Sequence, residues 1–302
     1  MSHRILLTGS NGLLGQKIVS LLADHPNVTL LATARGDNRH PQAEGYQYQS
    51  VDLTDAAAIR EAVTAFAPTV VINTAAMTQV DACEDERQAC DAINVEAVKV
   101  LCDVARQQAM RLVHLSTDFV FDGQDGPYRE SDLPKPVNYY GESKLRAERL
   151  IRQAGLDHAV LRTILLYGVT PAMSRSNIVL WAKQSLEAGK NIRVVNDQHR
   201  SPTLAEDLAA ATVTAALGEM QGIYHVSGAE YMGVHEIAYA VADYWQLDRG
   251  LITEIDSHSL KQRARRPPNT GFVIDKARAE LAYQPRELTA GFALLDQQLK
   301  AL

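Results

Sequence analysis

The sequence is short of several things that would direct its reading elsewhere. It has no excess of basic residues: 30 Lys and Arg stand against 36 Asp and Glu, a formal net charge of -6. Nucleic acid is therefore not an expected partner, although a local basic pocket for a phosphorylated small molecule stays open. Its three cysteines, Cys83, Cys90 and Cys102, are an odd number with no CxxC pair, in a stretch that reads as helix. Reduced, structural thiols in a cytoplasm account for them better than a disulfide framework. Nine histidines are scattered without an HExxH or a Cys/His cluster, so no catalytic metal is expected. No apolar run reaches the length of a membrane span, and "MSHRILLTG" does not read as a signal peptide. There are no internal repeats. What remains is 302 residues, 46% hydrophobic and 22% charged, enough for one large or two modest globular domains.

Apolar, β-rich runs alternate with helical patterns from the start. "RILLTG", "TLLATA", "TVVINTA", "RLVHLST" and "AVLRTI" read as buried strands, with a weaker one at "YQYQSVD". Helices are expected at about 12–23, over "DAAAIREAVTAF", from about 86 to 108, and around "NYYGESK". Continuous apolar strands alternating with helices predict an α/β fold, a doubly wound parallel sheet of Rossmann type covered on both faces. Beyond Tyr167 the pattern loosens into a loop (Val169–Ser176), a helix to about Ala188, a strand "IRVV", a helix from near Leu204, a strand-like "GIYHVSG", and short terminal helices. The expected division is a nucleotide-binding domain at 1–165 and a smaller α/β substrate-binding region at 166–302. A segment near 190–228 is a candidate to return to the first sheet.

The chemistry begins at "TGSNGLLG", which sets Gly9, Gly12 and Gly15 between the first strand and the first helix. Gly9 permits the tight turn, Gly12 lets the backbone approach a pyrophosphate, and Gly15 allows close helix–sheet packing. The free N–H groups and the positive helix end favour a diphosphate. At the end of the second strand "ATARGDNRH" carries no carboxylate for a ribose hydroxyl but has Arg35 and, nearby, Arg39. That pattern favours NADPH, with NADH as the alternative and solvated loop charges as the bland account. Asp52, in "SVDLTD", is placed either to accept from adenine or to cap the next helix.

In "NYYGESK" one helical turn pairs Tyr140 with Lys144 and Tyr139 with Ser143. A tyrosine of ordinary pKa about 10 is a poor acid or base at neutral pH, and a neighbouring ammonium brings it into range. Thr117, in "STD" at a strand's carboxyl end, is placed to hold a carbonyl oxygen, and Asn94 lies on the preceding helix. The set suits hydride transfer to a ketone, with Tyr140 as proton donor and Tyr139 as a packing or cleft-lining neighbour.

These residues together resemble the extended short-chain dehydrogenase/reductase family, and within it the dTDP-4-dehydrorhamnose reductases. The likeness runs through "ILLTGSNGLLG", "VVINTAAMTQVDACE", "AINVEA", "HLSTDFVFDG", "NYYGESKLRAE", "LRTILLYG", "NDQHRSPT" and "RPPNTGFVIDKA". The resemblance implies reduction of a 4-keto nucleotide sugar, with Tyr140 and Lys144 as the active pair, Thr117 at the reacting oxygen, Asp118 near the sugar and Asn94 in support. Gly9, Asn11, Gly12, Leu13, Leu14 and Thr74, Ala75 and Ala76 match cofactor positions, and Asp52 and Leu53 match the adenine side. Related dehydratases carry an Asp-Glu pair after the threonine; here it is Asp118-Phe119, which argues against water elimination and leaves carbonyl reduction, with epimerisation or another keto sugar nucleotide as the alternative. Leu165 stands where such reductases often have a tryptophan beside the sugar nucleotide. The loop before Asn177 is longer than usual, and Arg200 adds a cation that would meet a substrate phosphate or form a surface salt bridge. A homodimer is an expectation from the resemblance alone. Some relatives are nucleotide-binding regulatory subunits with little chemistry, a second reading that the altered sugar segment allows.

Overall fold

The computed structural model describes residues 2–173 and 176–302; residues 174 and 175, within the expected loop Val169–Ser176, lie outside the described residues. The first half alternates as β1 (His3–Thr8), α1 (Leu13–Leu22), β2 (Val28–Ala34), β3 (Gln47–Ser50), α2 (Ala56–Phe66) and β4 (Val70–Asn73). Then come α3 (Val80–Asp85), α4 (Arg87–Asp91), a π-turn (Ala92–Glu96), α5 (Ala97–Gln107), β5 (Arg111–Thr117), α6 (Tyr139–Ala154) and β6 (His158–Thr163). The remainder holds β7 (Leu166–Tyr167), α7 (Ile178–Glu187), β8 (Ile192–Val195), β9 (His199–Arg200), β10 (Thr203–Leu204), α8 (Ala205–Leu217) and β11 (Gly222–His225). It closes with β12 (Met232–Gly233), α9 (Val234–Tyr244), β13 (Ile252–Ile255), α10 (Asp275–Glu280) and α11 (Leu288–Lys300).

Seven strands form one sheet in the order β11-β6-β5-β4-β1-β2-β3, parallel at every pairing. Strand order reverses between β1 and β4, and in open α/β sheets that reversal opens a crevice at the carboxyl ends of the strands. Gly9, Thr74, Thr117 and Thr163 all follow or end strands at that edge. Burial explains the apolar runs: β5, flanked by β6 and β4 inside the sheet, is buried along its whole length. One face packs Ile5, Leu7 and Val113 against Ile18 and Leu22 of α1 and Leu208 and Ala211 of α8. The other packs Leu6, Val71 and Leu112 against Val63 of α2, Leu101 of α5 and Ile151 of α6. Local signals set the ends. Asp55 caps α2 by accepting from Ala57 and Ala58 N–H, and Asn138 caps α6, whose other end turns at Gly155 in the left-handed region.

Two differences from the sequence reading have physical causes. The helix expected over about 86–108 is interrupted by the π-turn at Ala92–Glu96, where Asn94 turns inward to the segment after β4. "IRVV" does form a strand, but β8 pairs with β13 in a separate two-stranded sheet. Ile252–Ile255 alternates weakly and gave no strand signal. The strand of "GIYHVSG", β11, pairs with β6 in the central sheet.

Candidate active site

A cavity of about 650 Å³ opens at the strand ends. The glycine loop forms one part of its wall, Thr117, Asp118, Tyr140 and Lys144 another, and Leu165, Asn177 and Ile178 a third. At the loop, Gly9 takes a φ of +74°, and a Cβ there would press on Thr74 and Ala75. Gly12 is the N-cap of α1 with no side chain capping the helix, and a Cβ on it would meet only the Gly9 carbonyl, at 3.3 Å. The first N–H groups of α1 therefore face open space that suits an anionic diphosphate. Asn11 ties this loop to the next one: its Nδ2 donates to Asp37 O at 2.8 Å and its Oδ1 accepts from Arg39 N at 2.9 Å. Arg35, exposed beside that contact, lies close enough to Asp52 to help hold its carboxyl below the usual range, after the hydrogen bonds from Thr54. Asp52 accepts from the Thr54 N–H and hydroxyl at 2.9 and 2.8 Å. The helix cap is Asp55, so the capping account of Asp52 is corrected. The wall includes Thr74 and Ala76 but not Arg35, Asp52, Leu53 or Ala75; Leu53 packs against the α2/α5 core.

The catalytic candidates converge. Tyr140, 9% exposed, opens α6, its ring edge-on to Phe119 with centroids 5.9 Å apart. That approach depends on Gly141, where a Cβ would overlap the carbonyl oxygen of Phe119. Gly141→Ala should therefore push the first turn of α6 outward. The expected cost is about 1–3 kcal/mol of stability, read as a lowered Tm, together with a loss of turnover exceeding any loss of cofactor affinity. Asn94 braces the same wall from behind. Its Oδ1 accepts from Met77 N at 2.8 Å, and its Nδ2 donates to Met77 O at 3.1 Å and Ser143 Oγ at 3.0 Å. It does not line the cavity. Tyr139 packs instead of lining the cleft: the Arg87 guanidinium lies over its ring at 4.7 Å.

The electrostatics differ from the simple pairing of Tyr140 with Lys144. Burial raises the Tyr140 phenol above its ordinary value, against a hydrogen bond with Thr117 that lowers it, and the Asp118 charge adds to the rise. Lys144 hydrogen-bonds inward, to His114 Nε2 at 3.0 Å and Leu115 O at 2.7 Å. Burial in turn depresses Lys144 from 10.5 to about 8, with Glu148 and Cys90 opposing. Asp118 is pushed up by burial and accepts from the Thr117 and Thr270 hydroxyls at 3.0 and 2.5 Å. Phe119, the residue after Asp118, also lines the wall.

Arg200 is neither a phosphate ligand on the cavity wall nor a surface ion. It is buried, donates to His199 O, Pro268 O, Gln198 Oε1 and Pro267 O at 2.7–3.1 Å, and lies 3.8 Å from Asp118. Four acceptors fix it as a clamp between the Pro-rich segment and the site. Asn177 lines the cavity while capping α7 through Leu180 N and donating to Gly168 O. Leu165 lines it in a left-handed backbone conformation, φ +40°. Sequence reasoning missed Thr163 and Thr170, cavity-lining residues whose buried hydroxyls have no partner. Position at the end of β6 was a usable signal for Thr163; Thr170, in an irregular loop, gave none. Among the described residues no cluster of three or more His, Cys, Asp or Glu could hold a metal, and no helix is long and apolar enough to cross a membrane.

The chain is similar to known proteins over most of its length. A bovine (Bos taurus) methionine adenosyltransferase 2 subunit beta is 31% identical over 291 residues, 92% of this chain and 82% of that protein. The dTDP-4-dehydrorhamnose reductase of Aggregatibacter actinomycetemcomitans is 30% identical over 299 residues, 94% of this chain and 95% of its own. The crystal structure of a dTDP-4-dehydrorhamnose reductase from Bacillus anthracis in complex with NADP superposes with a TM-score of 0.85 at 25% identity, covering 99% of this chain and 100% of that one. The family model described as the RmlD substrate binding domain matches residues 3–300, so the chain belongs to that family of short-chain dehydrogenase/reductase-like proteins.

Proposed function

We propose that the chain is an NADPH-dependent reductase of a 4-keto sugar nucleotide, with dTDP-4-dehydro-L-rhamnose, reduced to dTDP-L-rhamnose, as its first candidate substrate. The observation that carries this reading is the meeting of Thr117, Tyr140 and Lys144 on one cavity wall continuous with the glycine loop. Residues 1–165 would hold the dinucleotide and 166–302 the sugar. Gly9, Asn11, Gly12, Leu13 and Leu14 cradle the diphosphate, Thr74 and Ala76 flank it, and Arg35 meets the 2′-phosphate. The dinucleotide supplies hydride. Thr117 orients the carbonyl, Tyr140 holds the proton for the oxygen, Lys144 presents its ammonium at the cavity floor, and Asp118 and Asn177 bound the sugar side.

The test follows cofactor oxidation by absorbance, with dTDP-4-dehydrorhamnose generated in situ and NADPH or NADH supplied separately. Turnover that vanishes in Tyr140→Phe supports the reading; NADPH binding without turnover removes this substrate. Arg35→Ala should weaken NADPH roughly tenfold, about one charge-assisted hydrogen bond, and leave NADH nearly unchanged. Equal effects on the two cofactors would remove the 2′-phosphate contact.

A second reading, a non-catalytic nucleotide-binding subunit, is favoured by one observation: the similarity to a methionine adenosyltransferase subunit over 92% of the chain. It expects a stoichiometric partner on purification and unchanged biological activity in Tyr140→Phe. The two readings thus make opposite demands on one side chain.

A further inference from the structure

Beneath the cavity a line of buried polar side chains crosses three strands. Thr8 on β1 donates from Oγ1 to Asn73 Oδ1 on β4 at 2.6 Å. The Asn73 amide Nδ2 lies 3.0 Å from His114 Nδ1 on β5, and His114 Nε2 lies 3.0 Å from Lys144 Nζ on α6. None of the four is more than 2% exposed. Such a row in a parallel-sheet core is costly unless each group is partnered, so its membership calls for a reason.

Proton counting supplies one. With Asn73 donating to Nδ1, a neutral His114 carries its hydrogen on Nε2, facing Lys144. An ammonium has no lone pair and cannot accept that hydrogen, whereas a neutral amine can. A charged Lys144 requires the other tautomer, with Nε2 bare and Nδ1–H directed at the oxygen of a turned-over Asn73 amide. The imidazole holds one proton in both arrangements, and the net difference is a single proton exchanged between Lys144 and solvent. We infer that His114 is a positioning residue that reads and sets the charge of Lys144, its tautomer turning over with the Asn73 amide as that lysine gains or loses its proton.

The surroundings agree. His114 is held well below its ordinary value by burial and then by the Lys144 charge, so it stays neutral while Lys144 titrates. Lys144 is faced by Glu148 on its own helix, which is neutralised by Arg162 on β6 at 2.7 Å. Cys90 on α4 also favours its charged form. Tyr140, one turn earlier, and Asp118, after β5, share the cavity wall with it, and among the described residues its ammonium bonds are to His114 and Leu115.

The test uses the free protein labelled with 15N-histidine and the long-range spectrum of the imidazole nitrogens. The His114 signals are identified by their absence in His114→Gln. Expected is a neutral imidazole throughout, whose Nδ1 and Nε2 shifts exchange character in a step near pH 8, and loss of that step in Lys144→Met. A His114 spectrum with no step, or a step that survives in Lys144→Met, overturns the inference. A second arm rests on the proposed cofactor. His114→Phe should weaken NADPH about tenfold near neutral pH, His114→Gln, which keeps an acceptor, should restore most of it, and in Lys144→Met the phenylalanine should cost nothing further. A Phe effect that persists in Lys144→Met marks a packing role and overturns it. Absence of NADPH binding in the unsubstituted protein would sink the cofactor reading and leave the nitrogen spectrum to decide.

Discussion

Tyr140→Phe is expected to lower turnover by about 10²–10⁴-fold, the usual worth of a positioned proton donor, and to leave NADPH affinity within about twofold. Steady-state cofactor oxidation and a direct binding titration separate the two. The substitution keeps the ring that packs edge-on to Phe119 and removes only the hydroxyl bonded to Thr117. Thr117 retains Asp118 as acceptor at 3.0 Å, so the chain should stay folded with little change in Tm. The raised phenol also fixes the pH dependence. Its folded-state value lies above the ordinary one, so Tyr140 remains a protonated donor across the neutral range. Any alkaline fall in reduction near pH 8 should then belong to Lys144, whose value is about 8. Turnover within threefold of the unsubstituted chain would end the proton-donor assignment.

Lys144→Met carries the second large effect. Turnover should collapse and cofactor affinity should fall, to a level that a binding titration still reads, because the buried ammonium at the cavity floor is gone. Stability should respond in a way specific to pH. Burial lowers Lys144 from 10.5 to about 8, so the unfolded chain holds this proton more firmly than the folded one. The folded state therefore bears the full cost of the charge below about pH 8, and sheds it as pH rises toward 10.5. The interval corresponds to roughly 3 kcal/mol. Compared with Lys144→Met, the unsubstituted chain should gain about that much stability between pH 7 and pH 10.5 in paired urea titrations. Parallel pH profiles for the two proteins would show that Lys144 titrates normally.

The inner strands of the central sheet were legible because β1, β4, β5 and β6 are largely buried and therefore rich in apolar residues, whereas the exposed edge strand β3 gave only a weak signal. The glycine loop, Thr117, Tyr140 and Lys144 were legible for a related reason, since strand ends and single helical turns have fixed geometry. Contacts that depend on distant segments were not. Arg200 is buried by Pro267 and Pro268, and nothing near residue 200 announces that. The Lys144 partner, His114, was hidden inside a strand run that reads simply as apolar core. The inference that Lys144 tunes Tyr140 followed from their spacing, yet the spacing could not say how deeply each is buried, and burial decides both groups.

The place of β11 bears on how the chain is made. Its residues, Gly222–His225, complete the sheet beside β6, and Leu208 and Ala211 of α8 belong to the core that covers β1 and β5. During synthesis the first 165 residues would thus emerge with an open sheet edge and an apolar face covered only in part, by α1, and must wait for about sixty more before both are closed. A fragment ending near residue 165 should be insoluble or dependent on chaperones, whereas the same fragment supplied with residues 166–302 in trans has the means to assemble.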